Sequence, residues 1–204
     1  HAHCSLGLLL RHERKDVDGA IETYRAAVEA DPGYADAHYA LGVLLHNKRQ
    51  NVDGAEKAYR AAIEADPRHA NAHNNLGNLL LNERRDVDGA EKAFRAAIKA
   101  DPRHAWAHHN LGLLLKKERQ DVDGEEKAYR AAIEAEPGNA NANYNLGRLL
   151  MNERQDVDGA EKAYRAAIEG DPGHAKAHRN GGRLLQNRKD DEGGEQTARR
   201  ADQK

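Results

Sequence analysis

The sequence is poor in the residue types on which most covalent catalysis and metal binding depend. One cysteine, Cys4, excludes an intrachain disulfide and a cysteine zinc site. The only serine and threonine residues are Ser5, Thr23 and Thr197, which argues against catalysis by a hydroxyl nucleophile. No apolar run approaches the ~18 residues of a membrane-spanning helix. We therefore predict no enzyme activity and no insertion into a membrane.

Charge is abundant but balanced, with 32 Lys and Arg against 34 Asp and Glu in 204 residues. A net charge of -2 gives no basis for binding nucleic acid. The lone cysteine gives no sign of an oxidising compartment, which favours the cytoplasm. Because the chain begins at His1 without a Met or an apolar leader, we expect a processed or truncated product, and secretion stays open.

A phrase close to DVDGAEKAYRAAIEADP recurs along the chain and ends at a proline each time. The prolines lie 35 residues apart, at Pro32, Pro67, Pro102, Pro137 and Pro172. A fixed period in this range predicts an all-α solenoid, in which each repeat packs only on its neighbours. We predict one domain, 1–204, with repeats at about 1–32, 33–67, 68–102, 103–137, 138–172 and a degenerate 173–204.

Each repeat is predicted to contain two helices. In the second repeat the first helix covers about Ala35–Asn47, where apolar residues follow helical spacing. The second covers about Gly54–Ala65, and we predict that Asp53 caps it, with Glu56 completing a capping box. The proline ends that helix, because the residue before a proline is pushed out of helical geometry.

Several residues of the second repeat stand in the order and spacing of the tetratricopeptide repeat: Leu41-Gly42, Ala55, Tyr59, Ala62 and Pro67. The chain resembles this family over nearly its whole length. The resemblance implies twelve antiparallel helices in a right-handed superhelix, with first helices lining a concave groove. It also implies a non-catalytic scaffold for protein interactions, without cofactors. Since the usual period is about 34 residues, we expect the extra residue to alter the turn between the helices.

One stripe of each first helix varies between repeats while the framework does not. In tetratricopeptide folds this stripe lines the groove, so we predict that it contacts the side chains of an extended peptide or partner segment. The predicted contacts are Tyr39, Asn74, Asn78, Trp106, His109, Tyr144, Arg148, Lys176, Arg179 and Arg183. The alternative is neutral drift on a solvent-exposed face.

One position of the predicted groove is nearly constant and carries an asparagine, at Asn75, Asn110, Asn145 and Asn180. The series resembles the asparagine ladder in the tetratricopeptide superhelix of O-linked N-acetylglucosamine transferase. That resemblance implies that these amides hold peptide backbone. An amide offers both a donor and an acceptor, which matches a peptide unit whatever its side chain. The alternative is that they hydrogen-bond neighbouring helices.

Positive charge on the predicted groove is concentrated toward the C-terminal end. The residues concerned are Lys116, Lys117, Arg148, Lys176, Arg179 and Arg183. Like charges focused in a groove act more strongly than isolated ones, so we predict a preference there for an acidic or phosphate-bearing partner. An ordinary solvated face is the alternative.

Two patterns that suggest metal sites are discounted. DVDG lacks the third acidic ligand and the twelfth-position Glu of a calcium-binding EF-hand loop. Histidines recur as i, i+4 pairs such as His69/His73, His104/His108 and His174/His178, but no third ligand recurs with them. We predict no metal site.

A structural role is the alternative function. Near-identical repeats leave end surfaces that resemble the surface between repeats, and Leu6, Leu9 and Leu10 have no upstream partner in the sequence. Such an end can be covered by an absent segment of a longer protein or by the C-terminal end of another copy. The second option is head-to-tail stacking, which propagates into a filament unless the rotation closes a ring. The last repeat argues against tight stacking, because Arg199 and Gln203 replace residues that a neighbour would bury. A monomeric groove is therefore the preferred interpretation.

Overall fold

A computed structural model describes the backbone of residues 17–201 and the side chains of residues 17–48 and 50–190. Within that range the chain forms ten α-helices and no strand, which confirms the all-α class. The helices are α1 (Val17–Ala30), α2 (Ala35–Arg49), α3 (Val52–Ala65), α4 (Ala70–Leu79), α5 (Val87–Ala100), α6 (Ala105–Leu114), α7 (Val122–Ala135), α8 (Ala140–Asn152), α9 (Val157–Gly170) and α10 (Ala175–Ala201). The first helix predicted for repeat one, with Leu6, Leu9 and Leu10, lies outside the described residues.

The helices follow the predicted 35-residue period. α2–α3, α4–α5, α6–α7 and α8–α9 each span one repeat. The chain divides after Leu114 into two compact units. Within each unit consecutive helices pack together, as in a solenoid. None of the helices in the described residues has the length and apolarity needed to cross a bilayer.

A glycine of the first helix lets the two helices of a repeat approach closely. A Cβ atom added at Gly42 would lie 2.7 Å from the ring of Tyr59 on the second helix. One repeat later, a Cβ at Gly77 would lie 2.7 Å from the ring of Phe94. Both rings are fully buried. The Leu-Gly pair is therefore repeated because any larger residue would displace the aromatic anchor of the second helix.

The second helices begin two residues earlier than predicted, and the cap prediction for Asp53 was wrong. In each N-cap a side-chain oxygen accepts a 2.9 Å hydrogen bond from the backbone amide of a glycine three residues later. The capping residues are Asn51, Asp86, Asp121 and Asp156. The glycine of DVDG leaves room for the cap, because a Cβ at Gly89 would lie 2.7 Å from the Asp86 carboxyl carbon.

The second aspartate of DVDG joins adjacent repeats instead of capping a helix. Asp53 and Glu56 both pair with Arg84 of the following repeat, and the Glu56 contact is 3.0 Å long. Hydrogen bonding to Arg84 lowers the pKa of Asp53. In the second unit Arg154 and Arg188 make the equivalent pairs with carboxylates of the preceding repeat. The recurring phrase thus encodes a cap and an inter-repeat ion pair at once.

The extra residue of each repeat is taken up where the first helix ends. A backbone amide there donates to a carbonyl six residues back, as from Asn51 to Leu45 at 2.9 Å. The residue before that amide has a positive φ of 50 to 59°, at Gln50, Arg85, Gln120 and Gln155. Two of these helix ends are π-helical, at Leu80–Arg84 and Leu115–Arg119. These features lie at the turn in which we expected the extra residue to act.

The last repeat differs from the prediction of two helices. α10 runs without a turn from Ala175 to Ala201. Its sequence explains the difference, since Arg199 and Gln203 stand where other repeats have the Tyr and Ile of the second helix. Without those apolar residues the segment lacks a face with which to fold back on the first half of α10.

Candidate functional site

Side chains that cap the first helices fix where each of these helices begins. Nδ1 of an imidazole accepts a hydrogen bond of 3.1 to 3.2 Å from a backbone amide three residues later, at His69, His104 and His174. Asn139 caps α8 in the same way at 3.0 Å. A histidine accepts at Nδ1 only when its ring is neutral. The histidine caps therefore require deprotonated imidazoles.

The opposite ring nitrogen of two caps contacts the first helix of the preceding repeat. Nε2 of His69 lies 3.2 Å from Asp36, and Nε2 of His104 lies 3.0 Å from Asn71. The second histidine of each pair is also engaged, as when Nε2 of His73 meets the Pro67 carbonyl at 3.0 Å. No three metal-binding side chains come together in the described part of the chain. The paired histidines thus serve helix capping and repeat packing.

We name the side-chain amides of Asn75, Asn110, Asn145 and Asn180 the ladder amides. In the first unit these amides link neighbouring repeats. Asn75 Nδ2 donates to the Tyr39 hydroxyl at 3.3 Å, and Asn110 Nδ2 donates to Asn74 Oδ1 at 3.0 Å. Asn74 Nδ2 in turn donates to Asn75 Oδ1 at 3.3 Å. Asn75 and Asn110 are only half-buried. Since an amide has four hydrogen-bonding positions, each retains capacity for a further partner.

The second unit repeats this arrangement. Asn180 Nδ2 donates to the Tyr144 hydroxyl at 3.5 Å. The Tyr144 ring packs on the capping His174 with ring centres 5.0 Å apart, as Tyr39 packs on His69 at 4.9 Å in the first unit. Asn145 is half-buried on α8. Tyrosine, histidine and asparagine from successive repeats therefore form a recurring cluster on the first helices.

The stripe of predicted contacts in the first unit is uncharged and partly apolar. Trp106 is 52% exposed, and Leu113, which is not among the predicted contacts, is 38% exposed two turns further along the helix. Asn74 and His109 are buried at 7% and 5% exposure, and Asn78 is half-buried. Trp106 and Leu113 are thus exposed large apolar side chains on this stripe. We name this stripe, with its counterpart in the second unit, the first-helix face.

The first-helix face of the second unit is basic. Lys176, Arg179 and Arg183 are exposed on α10, and Arg148 is half-buried on α8. Among the described residues none of these four side chains forms an ion pair. The Nε atom of Arg148 is buried and has no hydrogen-bond partner there.

A cavity of about 420 Å³ lies between α8, α9 and α10 of the second unit. Its polar lining comes from Arg148, Asn152, Tyr164, Asn180, Arg183 and Asn187. Burial raises the pKa of the Tyr164 hydroxyl, so this group stays protonated and can donate. The sequence prediction included three of these residues but missed Asn152, Tyr164 and Asn187, which come together only through helix packing.

Glu125 is a buried carboxylate that sequence reasoning also missed. It is 3% exposed, and its carboxylate lies 3.7 Å from Lys116 Nζ. Burial raises its pKa, although Lys116 and Arg148 oppose that change. The equivalent position is a buried alanine in other repeats, namely Ala20, Ala55, Ala90 and Ala160. Among the repeats before the degenerate last one, which carries Glu195 there, this departure from alanine is the sequence signal for it.

Comparison with known families matches most of the chain. A model described as tetratricopeptide repeat matches residues 48–105, 79–140, 120–175 and 144–204. A second model, described as TPR repeat, matches residues 9–48. No curated protein sequence gives a significant match.

Solved structures with the same fold are numerous. PilF of Pseudomonas aeruginosa is similar with 25% identity and a TM-score of 0.80, over 94% of this chain and 85% of that one. MamA has 25% identity and a TM-score of 0.67, over 83% of this chain and 96% of that one. YrrB, described as a TPR protein with an unusual peptide-binding site, has 22% identity and a TM-score of 0.64, over 87% and 89%.

Proposed function

Because this chain belongs to the tetratricopeptide repeat family, whose members are typically non-catalytic protein-interaction modules, we propose that it binds an extended peptide or partner segment along its first-helix face. The ladder amides would hold the peptide backbone. Variable neighbours would contact its side chains. The likeness to YrrB is one of fold alone, so the support for peptide binding comes from the residues of this chain.

The observation that carries the proposal is that three of the four ladder amides are held in place before any ligand binds. Tyr39 fixes Asn75, Asn74 fixes Asn110 and Tyr144 fixes Asn180, each through the amide nitrogen. A group that is already ordered loses less side-chain entropy on binding. Each new hydrogen bond contributes about 1 kcal/mol net. Binding by several such amides is therefore modest in affinity and tolerant of peptide sequence.

The two units would favour different side chains. Trp106 and Leu113 are exposed large apolar residues in the first unit, and tryptophan is among the residues that most often dominate binding energy at interfaces. The second unit presents cations in place of these side chains. We therefore expect apolar or aromatic peptide residues against the first unit and acidic residues against the second.

The test begins with a binding peptide selected from an array of randomised ten-residue peptides probed with the full chain. The selected peptide is then titrated calorimetrically against the chain carrying Asn75→Ala, Asn110→Ala, Asn145→Ala and Asn180→Ala. We expect at least a tenfold loss of affinity, because several hydrogen bonds of about 1 kcal/mol are removed. Asn82→Ala is the control, since Asn82 is exposed and lies outside the ladder. Equal affinities for the fourfold variant and the wild type would reject the ladder.

A further inference from the structure

We propose that the cavity between α8, α9 and α10 binds the carboxylate of an aspartate or glutamate side chain of the partner peptide. This inference rests on the function proposed above and assigns a ligand chemistry to one part of the first-helix face. The cavity is closed on one side by α9 and flanked by two arginines, Arg148 from α8 and Arg183 from α10.

The arginines of the cavity differ from four other described arginines of the second unit, which are held by carboxylates. Arg130 and Arg165 pair with carboxylates of their own helices at 2.9 and 2.7 Å. Arg154 and Arg188 pair with carboxylates of the preceding repeat. Arg148 and Arg183 form no ion pair with any described residue. Cations that form no ion pair and converge on a concave site attract an anion.

Arg148 provides a second and independent observation. Its Nε–H group is buried yet has no hydrogen-bond partner among the described residues. A buried donor without a partner is costly, and its presence shows that no described acceptor holds the Arg148 guanidinium at this atom. Glu125, whose ionisation Arg148 favours, has its ion pair with Lys116. The single carboxylate of Glu125 therefore lies near two cations, Lys116 and Arg148, and Arg183 adds a third positive charge to this region.

The remaining lining suits a carboxylate carried on methylene groups. The amides of Asn152 and Asn187 and the hydroxyl of Tyr164 can donate to carboxylate oxygens. Met151 and Leu184 supply an apolar wall for the methylenes. Arginine binds carboxylates through paired N–H groups, which adds geometric selectivity over a simple charge.

The position of Asn180 distinguishes a side-chain carboxylate from a chain terminus. Asn180 lines the cavity and also belongs to the ladder that we propose holds peptide backbone. Backbone held beside the cavity would continue past it, and only a side chain would enter. A peptide with an amidated C-terminus should therefore bind as well as one with a free C-terminus.

The experiment uses the full chain and the peptides selected from the randomised array, each made once with an amidated and once with a free C-terminus. Each acidic residue of a binding peptide is replaced in turn by its amide, Glu→Gln or Asp→Asn, and affinities are measured by fluorescence anisotropy. We expect one replacement to weaken binding about tenfold or more, as for a hydrogen bond to a charged group. The same replacement should have little effect on the Arg183→Gln variant. Arg165→Gln, an outer arginine paired with Glu161, is the matched control.

The outcomes separate this inference from the function on which it rests. Binding peptides without any preference for acidic residues would overturn the inference and leave backbone recognition standing. If replacing the acidic peptide residue lowers affinity equally for the wild type and for Arg183→Gln, the carboxylate binds outside the cavity, and the inference is also overturned. Binding that requires a free C-terminus would mean that the cavity holds the terminal carboxylate of the peptide, and would overturn the assignment to a side chain. If no peptide binds the folded chain at all, the proposed function and the inference fail together.

Discussion

The imidazole of His104 caps α6 by accepting a 3.1 Å hydrogen bond at Nδ1 from the backbone amide of Ala107. Burial lowers the pKa of this imidazole, with Asp101 opposing the change and His108 adding to it. The other ring nitrogen faces Asn71, which is uncharged. Every described contact of the ring at Nδ1 and Nε2 is therefore compatible with the neutral form.

Acidification should weaken the fold through this cap. Because the folded-state pKa lies below the unfolded value of about 6.5, the contribution is fully present above that value. It is lost as the pH falls through the folded pKa, since the unfolded chain then binds more protons. His104→Asn, which copies the natural cap Asn139, should keep the stability at about pH 7.5 within ~0.5 kcal/mol. It should also reduce the fall in unfolding free energy toward about pH 5.5.

Urea denaturation at both pH values measures this effect. His109 is also buried with a lowered pKa, so His109→Gln is tested in parallel to separate the two contributions. A wild type and a His104→Asn variant with the same pH dependence would show that the cap does not sense protons.

The close approach of helices at Gly77 predicts opposite effects for two glycine substitutions. Gly77→Ala should destabilise the chain by about 1–3 kcal/mol, as overpacking does, because its Cβ would meet the Phe94 ring. Gly182→Ala should stabilise it by about 0.5–1 kcal/mol from helix propensity, because nothing lies within 4 Å of the added Cβ. The free energy of unfolding in urea measures both. An unchanged free energy of unfolding for Gly77→Ala would mean that the Phe94 ring can move away from the added Cβ without destabilising the fold.

The left-handed residue after the first helix offers a stabilising substitution. Arg85 has a φ of 59°, a conformation that costs a residue with a Cβ about 1 kcal/mol and glycine far less. We expect Arg85→Gly to raise the free energy of unfolding by roughly 0.5–1 kcal/mol. Arg85→Val, whose branched side chain opposes this conformation, should lower it. Thermal melting that ranks valine above glycine would contradict the assigned backbone geometry.

Replacing Glu125 by the alanine of other repeats should stabilise the chain at neutral and higher pH. Burial raises the carboxyl pKa, so the folded chain binds more protons than the unfolded chain, and stability falls as the pH rises toward the folded pKa. Glu125→Ala removes that loss and should add on the order of 1 kcal/mol above neutral pH. Glu126→Ala is the contrasting variant. Because Glu126 pairs with Arg130 and Arg154, this substitution should lower the free energy of unfolding. Denaturation curves of both variants across pH test the sign.

The helical repeat could be predicted because each helix carries its own periodic signal. The proline spacing and the Leu-Gly pairs located nine of the ten described helices to within a few residues. The failures have local causes. Both aspartates of DVDG favour a helix start, and only the backbone geometry at Asp86 shows which one caps. Histidine is an uncommon cap, so the role of His104 could not be inferred from its type.

The sequence could predict the candidate site only as a stripe of residues along each first helix, without the contacts between helices. The asparagine series was visible because it recurs at one register position, but its partners Tyr39 and Tyr144 stand in another repeat. Likewise Asn187 and Tyr164 line the cavity from consecutive helices, but the sequence does not show that these two side chains come together. Contacts between elements depend on packing angles, which no local pattern encodes.

Bonds between repeats at a constant register have a genetic consequence. His69, Asn75 and Arg84 each bind a residue of the preceding repeat, at Asp36, Tyr39 and Asp53. An in-frame deletion of residues 68–102 would bring His104, Asn110 and Arg119 into these same three places. The loss of this whole repeat would thus leave the new junction with compatible partners.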